Sequence, residues 1–259
     1  MREIRSKDNR IVKRCEQLSM RKYRDQFGLY LIEGENLLAE AVKNHARIET
    51  VLLREGCQKS LPPQVADRTF LLDAGIFDKL AQTVTSQGIL AIAAKEAARK
   101  EDFINLPGSN FIVLDRLQDP GNIGTILRTA DAAGYKLAIL MKGTADVYAP
   151  KVVRAATGSL FRMPVVSMAS AEELVEFTRA AGKKLTATCL DAQRCYYEED
   201  LTHDIALIIG NEGNGISQEL IESSDIRIRI PMHGNIESLN AAVAAGVLMY
   251  EAVRGNPRT

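Results

Sequence analysis

The 259-residue chain has no tryptophan, only four cysteines and three histidines, and 5% aromatic residues. Each shortage excludes something. Cys15, Cys57, Cys189 and Cys195 form no C-x-x-C pair, and His45, His203 and His233 are scattered among them. Neither zinc-ligand spacing nor a disulfide framework is present, so no metal is expected and the thiols read as reduced. Reduced thiols suit a cytoplasmic protein. No apolar run approaches the roughly 18 residues of a membrane span, and Met1-Arg2-Glu3-Ile4 does not open like a signal peptide, so no membrane partner is expected. Net charge is also missing, with 33 basic against 33 acidic side chains. What is present is a hydrophobic content of 46%, enough to build a core and to exclude wholesale disorder. At roughly 150 residues per domain, the length fits one large domain or two.

The neutral total hides an uneven distribution. Residues 1–28 carry nine bases against four acids, a local charge of +5 that leaves −5 for the rest. On a continuous helix, Arg10, Lys13, Arg14, Arg21 and Arg24 would share one arc of about 100°. Ile11, Val12, Cys15 and Leu18 would lie opposite, with Lys22 the exception. Such a stripe is either an ordinary solvated helix face or a phosphate-contacting surface.

Strands are expected at Tyr30–Glu33, Thr50–Leu53, Phe70–Leu72 and Ile89–Ala94, with helices at Glu35–Asn44 and Ala74–Ala81. This is a small unit of alternating elements. Residues 95–107 are charged, show no core pattern and end in Pro107-Gly108, like a linker. Domains are accordingly expected at 1–101 and 110–259, joined by 102–109. In the second, strands recur at Phe111–Asp115, Leu137–Met141, Met163–Val166, Lys184–Thr188, Ile205–Ile209 and Ile226–Ile230. Short apolar strands separated by helices predict an α/β fold with a parallel sheet covered on both faces. Ligands in such sheets bind outside the carboxyl ends of the strands.

Three segments at those ends carry chemistry. In Asp119–Gly134, Asp119 and Pro120 can start a helix and Gly134 can stop it, with Ile123, Ile126, Leu127 and Ala130 buried. Asn122 then sits at the helix start, and Arg128 lies off the apolar face, where its charge needs an acidic or phosphate partner. The segment Ile208–Ser217 runs a buried strand into a loop with Gly210, Gly213 and Gly215 around Glu212. Its G-x-x-G-x-G spacing matches neither a dinucleotide fingerprint nor a P-loop, and a tight turn without ligand would also fit. The segment Ile230–Asn240 again leads a strand into a loop, here with Ser238 and Asn240 ahead of a helix rich in alanine and apolar nearly all round. A helix without a polar face implies burial within the fold or at a subunit interface. His233 in this loop is more readily incidental than a base.

Together, in this order, the three segments resemble the motifs of the SpoU (TrmH-like) branch of the SPOUT methyltransferases over about residues 108–255. Asn122 and Arg128 fit the first motif, Gly210-Asn-Glu-Gly the second, and Ile230-Pro-Met with Ser238-Leu-Asn240 the third. Lys151-Val-Val-Arg154-Ala-Ala-Thr-Gly158-Ser159 fits a further basic segment. Residues 1–100 more loosely resemble a ribosomal-protein-like substrate-binding domain. Ala241-Ala242 departs from the third motif's usual Val-Ser, which implies a packing difference with the chemistry intact.

The resemblance implies a deep trefoil knot, a homodimer that buries the terminal helix, and S-adenosylmethionine as cofactor. Its pocket would include Gly210, Ile230 and Leu239, with Thr188, Leu190 and Met232 nearby. The implied reaction is methylation of a ribose 2′-hydroxyl in RNA, with Asn122, Arg128, Glu212, Ser238 and Asn240 at the site. The family role of proton acceptor for Arg128 conflicts with a guanidinium pKa above about 12. Lowering the hydroxyl pKa or holding the adjacent phosphate suits Arg128 better. RNA contacts would come from Arg10, Lys13, Arg14 and Arg21, with Lys151 and Arg154. Large-subunit ribosomal RNA is the expected substrate. The alternatives are transfer RNA methylation, a non-catalytic RNA-binding protein of the same fold, or a nucleotide-dependent oxidoreductase.

Overall fold

Strand-forming runs alternate with capped helices twice along the chain, and the computed structural model, which describes residues 2–83, 85–96 and 98–255, groups them into two units. One comprises residues 1–96 together with Asp146–Arg162, and the other holds 97–145 and 163–259.

The first unit contains β1 (Arg2–Ile4), α1 (Arg10–Leu18), α2 (Arg21–Phe27), β2 (Leu29–Glu33), α3 (Glu35–Lys43), β3 (Ile48–Arg54), β4 (Thr69–Leu72), α4 (Ala74–Leu80) and β5 (Ile89–Ala94). The sheet order is β1-β4-β3-β5-β2, with β5 antiparallel to both of its neighbours. Strand alternation divides the core in two. Leu90 and Ile92 of β5 join Val12, Cys15, Leu18 and Phe77 on one face, while Ile89, Ala91 and Ala93 join Tyr30, Leu38 and Val51 on the other. Val153 and Phe161, far along the chain, complete that second core. The strand β1 was not expected, because its three residues carry two exposed charged side chains and one buried isoleucine.

The basic stripe is not one helix. Asn9 caps α1 through a 2.9 Å bond from the Ile11 N–H, and α1 ends at Leu18. Met20 is extended before α2 begins, and Gly28, at φ 64°, closes α2 in the left-handed region. The change of axis turns Arg24 inward, away from the arc expected for it. Its guanidinium is 4% exposed, donates from Nε to Asp146 Oδ2 at 2.7 Å, and donates from Nη1 to the Leu18 and Ser19 carbonyls at 2.8 Å. A buried charge is tolerated here because it is both paired and hydrogen-bonded.

The second unit is built on β6 (Phe111–Leu114), α5 (Pro120–Ala132), β7 (Leu137–Met141), β8 (Val165–Met168), α7 (Ala171–Ala180), β9 (Lys184–Thr188), β10 (Arg194–Cys195), β11 (Ile205–Ile209), α8 (Gln218–Glu222), β12 (Ile226–Arg229) and α9 (Ala241–Gly255). Between β7 and β8, α6 (Pro150–Ala155) belongs to the first unit. The seven strands run parallel in the order β10-β12-β9-β11-β6-β7-β8. The central strands β6 and β11 are buried at every position, as a sheet covered on both faces requires. β8 starts two residues later than expected, after Pro164, which has no N–H to donate. The charged segment before β6 also differs from its expectation. Phe103 is part of the main core and Ile104 and Leu106 pack against it, so apolar residues hidden among charges dock this stretch.

The buried and exposed ion pairs of the first unit predict unequal costs. Arg24→Ala strands the Asp146 carboxylate and should cost about 3–5 kcal/mol. Lys13→Ala breaks an exposed pair with Asp8 and should cost about 0–1 kcal/mol. Chemical denaturation of the full chain measures both, and equal costs would contradict the packing described.

Candidate active site

The carboxyl ends of β9, β11 and β12 open onto a cavity of about 440 Å³. Its wall includes Thr188, Leu190, Gly210, Ile230, Met232 and Leu239, all six residues expected around a cofactor, together with Glu212 and Ser238. The volume falls in the range of small-molecule sites, about 300–1,000 Å³. Ile209, Ile228, Ile230 and Leu239 give an apolar wall, while Asp191, Glu212 and Glu237 oppose the single basic residue Arg229. That balance suits a ligand with an apolar ring and a positive centre. Cys189 also lines the cavity, and burial, with Asp191 beside it, pushes its thiol up, so it remains protonated at neutral pH.

The loop after β11 explains one glycine. Asn211 and Gly215 pair backbone to backbone at 3.0 and 2.9 Å, which folds the chain back over Gly210. A Cβ on Gly210 would lie 2.3 Å from the carbonyl carbon of Gly215 and from the Ile216 nitrogen. Gly210 is therefore required by close backbone approach, whereas Gly215 supplies the positive φ, 65°, that the turn needs.

Three loops meet at Asn122. Asp119 caps α5 by accepting the Asn122 N–H at 2.9 Å, a contact worth about 1 kcal/mol, and Pro120 occupies the first turn. The Asn122 side chain then donates from Nδ2 to Glu212 Oε1 at 3.1 Å. Its Oδ1 accepts from Asn240 Nδ2 at 3.0 Å. Asn240 Oδ1 in turn accepts the Ala242 and Val243 N–H groups at the start of α9. One chain of hydrogen bonds thus joins the first, second and third motif segments.

Glu212 also accepts the N–H groups of Gln118 and Asp119 at 3.2 and 3.0 Å. Burial opposes its ionised form, but these backbone donors and the Asn122 amide outweigh it and hold the carboxyl below the usual carboxylate range. Glu212 accepts several hydrogen bonds that shape the loop before α5, and its lowered pKa makes it a weak base.

Residues without a motif complete the frame. Arg116 sits at φ 55°, a strained position for a side chain. It is held there by its N–H on Thr144 Oγ1 at 3.1 Å and its carbonyl on Asn211 Nδ2 at 2.9 Å. Buried Asp115 accepts the Ser217 N–H at 2.7 Å. Asp115 and Arg116 were not picked out from the sequence, because an aspartate ending a buried strand was the only available signal, and Asn211 was read only as part of the Gly210-Asn-Glu-Gly motif, without a role of its own.

Residues 109–250 match the SpoU rRNA Methylase family, and residues 9–91 match the MRM3-like substrate binding domain. The chain belongs to the SpoU rRNA methylase family. It is 34% identical to the Bacillus subtilis 23S rRNA (guanosine(2553)-2'-O)-methyltransferase RlmP, across 96% of this chain and 98% of that protein. A 23S rRNA (uridine(2479)-2'-O)-methyltransferase of Streptomyces viridochromogenes is also 34% identical, across 98% of this chain and 92% of the relative. The AdoMet-bound rRNA methyltransferase from Sinorhizobium meliloti superposes with a TM-score of 0.88 at 30% identity, covering 99% of both chains.

Within this SpoU chain the motif residues divide. Asn122, Glu212 and Asn240 are brought together, and Glu212 and Ser238 line the cavity. Arg128 is exposed on α5, outside the cavity wall. Arg10, Lys13, Arg14 and Arg21 lie on α1 and α2 of the first unit, as do exposed Lys151 and half-buried Arg154 of α6. Arg154 Nη1 is buried 3.9 Å from Glu33 Oε2, without a hydrogen bond among the described residues. Among the described residues no group of His, Cys, Asp or Glu is placed to hold a metal ion. No described helix is long and apolar enough to cross a membrane.

The depressed carboxyl of Glu212 gives a signed expectation. Its contribution to stability is present above the unfolded carboxyl pKa of about 4.3 and is lost as pH falls through the lower folded value. Glu212→Gln should lower the thermal midpoint at neutral pH, and the gap to the unaltered protein should close on acidification. A gap that widens in acid would mean Glu212 is not held as an anion.

Proposed function

We propose that this chain methylates a ribose 2′-hydroxyl of large-subunit ribosomal RNA, using S-adenosylmethionine. The observation that carries this is the Glu212–Asn122–Asn240 chain at the edge of a cavity whose wall suits a cationic, adenine-bearing ligand. The names of the relatives point to the same reaction and RNA class. Gly210, Ile230, Leu239, Thr188, Leu190 and Met232 would hold the cofactor, which when bound supplies an electrophilic methyl group on a sulfonium. A ribose hydroxyl is a poor nucleophile and must be both oriented and relieved of its proton. Asn122 is fixed at both ends, so the loop carrying it is set in place before substrate arrives. Ser238, exposed at the cavity wall, is free to contact the ribose. Arg128 acts by stabilising the developing alkoxide or by holding the neighbouring phosphate.

The working form in this proposal is a cytoplasmic homodimer with a knotted catalytic unit. The knot is what the resemblance to the SPOUT methyltransferases implies. The helix α9 packs one side on α5 and leaves Val243 and Tyr250 about half exposed, with Ile236 more exposed still. A second copy covering that face would bury them and would bring a partner surface to Arg128. Residues 1–101 would recognise RNA, with Arg10, Lys13, Arg14, Arg21, Lys151 and Arg154 on phosphates. The exposed pairs Lys13–Asp8 and Arg21–Asp25 hold these cations weakly enough to be exchanged for phosphate.

The test uses labelled S-adenosylmethionine with separate unmodified ribosomal and transfer RNA transcripts. Label in a 2′-O-methylnucleoside from 23S transcript is expected, and label in a methylated base or only in transfer RNA would contradict the proposal. Arg128→Ala should lower kcat by at least about 100-fold while leaving cofactor affinity unchanged, because Arg128 is not on the cavity wall.

A further inference from the structure

The α1–α2 surface carries more than charge. The guanidinium of Arg14 lies 3.6 Å from the centroid of the Phe27 ring, Phe27 stacks on Tyr23 at 5.8 Å with planes 15° apart, and the Lys22 ammonium is 5.7 Å from the Tyr23 centroid. Two stacked rings thus lie between two cations, in the order Arg14–Phe27–Tyr23–Lys22. Tyr23 and Phe27 are four residues apart on α2, so the helix itself sets their stack. Phe27 packs partly against the core below, whereas Tyr23 belongs to none of the core clusters and its ring is half-exposed. Packing does not account for a tyrosine there.

The charges around these rings favour one kind of partner. Asp25, the acid on α2, is neutralised by Lys95 at 2.7 Å and by Arg21 at 3.5 Å, and Asp8 is taken by Lys13 at 2.9 Å. Among the described residues Arg10, Arg14 and Lys22 have no carboxylate partner, and Glu16 is the remaining acid on these helices. A half-buried aromatic ring outside the core, flanked by cations without carboxylate partners, matches an unpaired nucleobase stacked between phosphates. A duplex offers phosphates and 2′-hydroxyls but no free base face to this surface, because its bases are already stacked within the helix.

We infer that Tyr23 is a base-stacking platform, and that the α1–α2 surface takes a single-stranded or bulged segment of RNA rather than a duplex. This rests on the proposed RNA substrate and deepens it. The Lys22 ammonium, 5.7 Å from the ring centroid, swings aside onto a flanking phosphate as the Tyr23 ring takes the face of a splayed base, while Phe27 and Arg14 brace the other face and Arg10 engages a further phosphate. Because every base has a π-face, the contact selects strand state and leaves sequence to other residues.

The experiment measures binding of the full chain to a single-stranded oligoribonucleotide and to a blunt RNA duplex of equal length, at two salt concentrations. Tyr23→Ala should weaken single-strand binding by about 5- to 100-fold with the salt slope unchanged, and should leave duplex binding unaltered. Tyr23→Phe should restore binding, and Tyr23→Leu, which keeps bulk but has no π-face, should not. Lys22→Ala should instead reduce the salt slope by about one. Equal losses on both RNAs, no loss on either, or rescue by leucine would overturn the platform. An unaltered thermal midpoint and far-UV circular dichroism spectrum for each variant show that it has folded. If the unaltered protein binds 23S transcript but not single strands, only this inference fails. If it binds no RNA at all, the proposed function fails with it.

Discussion

The arrangement of the catalytic unit depends on one carboxamide. Asn122 donates to Glu212 and accepts from Asn240, and so ties together the start of α5, the loop after β11 and the start of α9. An amide suits this position because it carries a donor and an acceptor on one rigid plane. An aspartate would place a second carboxylate against Glu212, and a serine would not reach both partners. The three segments are 118 residues apart at their extremes, so the bond fixes tertiary geometry that no local propensity could supply.

Around this junction, the backbone absorbs the strain. Gly210 lets residues 215–216 pass at a distance no side chain permits, and Arg116 occupies the left-handed region because Thr144 and Asn211 hold it there. The result is a preset cavity edge in which the charged group nearest the junction, Glu212, is committed to backbone donors. In the proposed reaction the reactivity would come from groups not so committed, among them Ser238 on the wall and Arg128 on the exposed side of α5. In the first unit the same logic appears inverted. Arg24 is fully committed to Asp146 and two carbonyls, while Arg10, Arg14 and Lys22 are left available.

Much of this was legible in the sequence because it is written in local patterns. The apolar runs Phe111–Leu114 and Ile205–Ile209 read as covered parallel strands. Asp119-Pro120 and Gly134 read as the limits of α5, which Gly134 closes at φ 82°. The six cavity-wall residues were named through the family resemblance that the three motif segments carry, and they lie at strand ends. What stayed hidden depends on long-range partners. Arg24 has the same periodicity as its neighbours, and only the break at Ser19-Met20 and a carboxylate 122 residues away turn it inward. Val153 and Phe161 read as part of the second domain, yet they fill the core of the first unit. Phe103 and Leu106 were obscured by the charges beside them. Gly210 was legible as one of three loop glycines and as a motif residue, but the backbone crossing that requires it was not.

The most direct measurement is a double-mutant cycle between Asn122→Ala and Asn240→Ala, read as kcat/KM for methyl transfer to 23S transcript. If Asn122 acts by joining the two segments, either substitution breaks the same chain. The double variant should then be little worse than the more damaging single one, with a coupling of about 0.5–3 kcal/mol. Strictly additive losses would show that the two side chains act independently, and would contradict the hydrogen-bonded junction as the basis of the site.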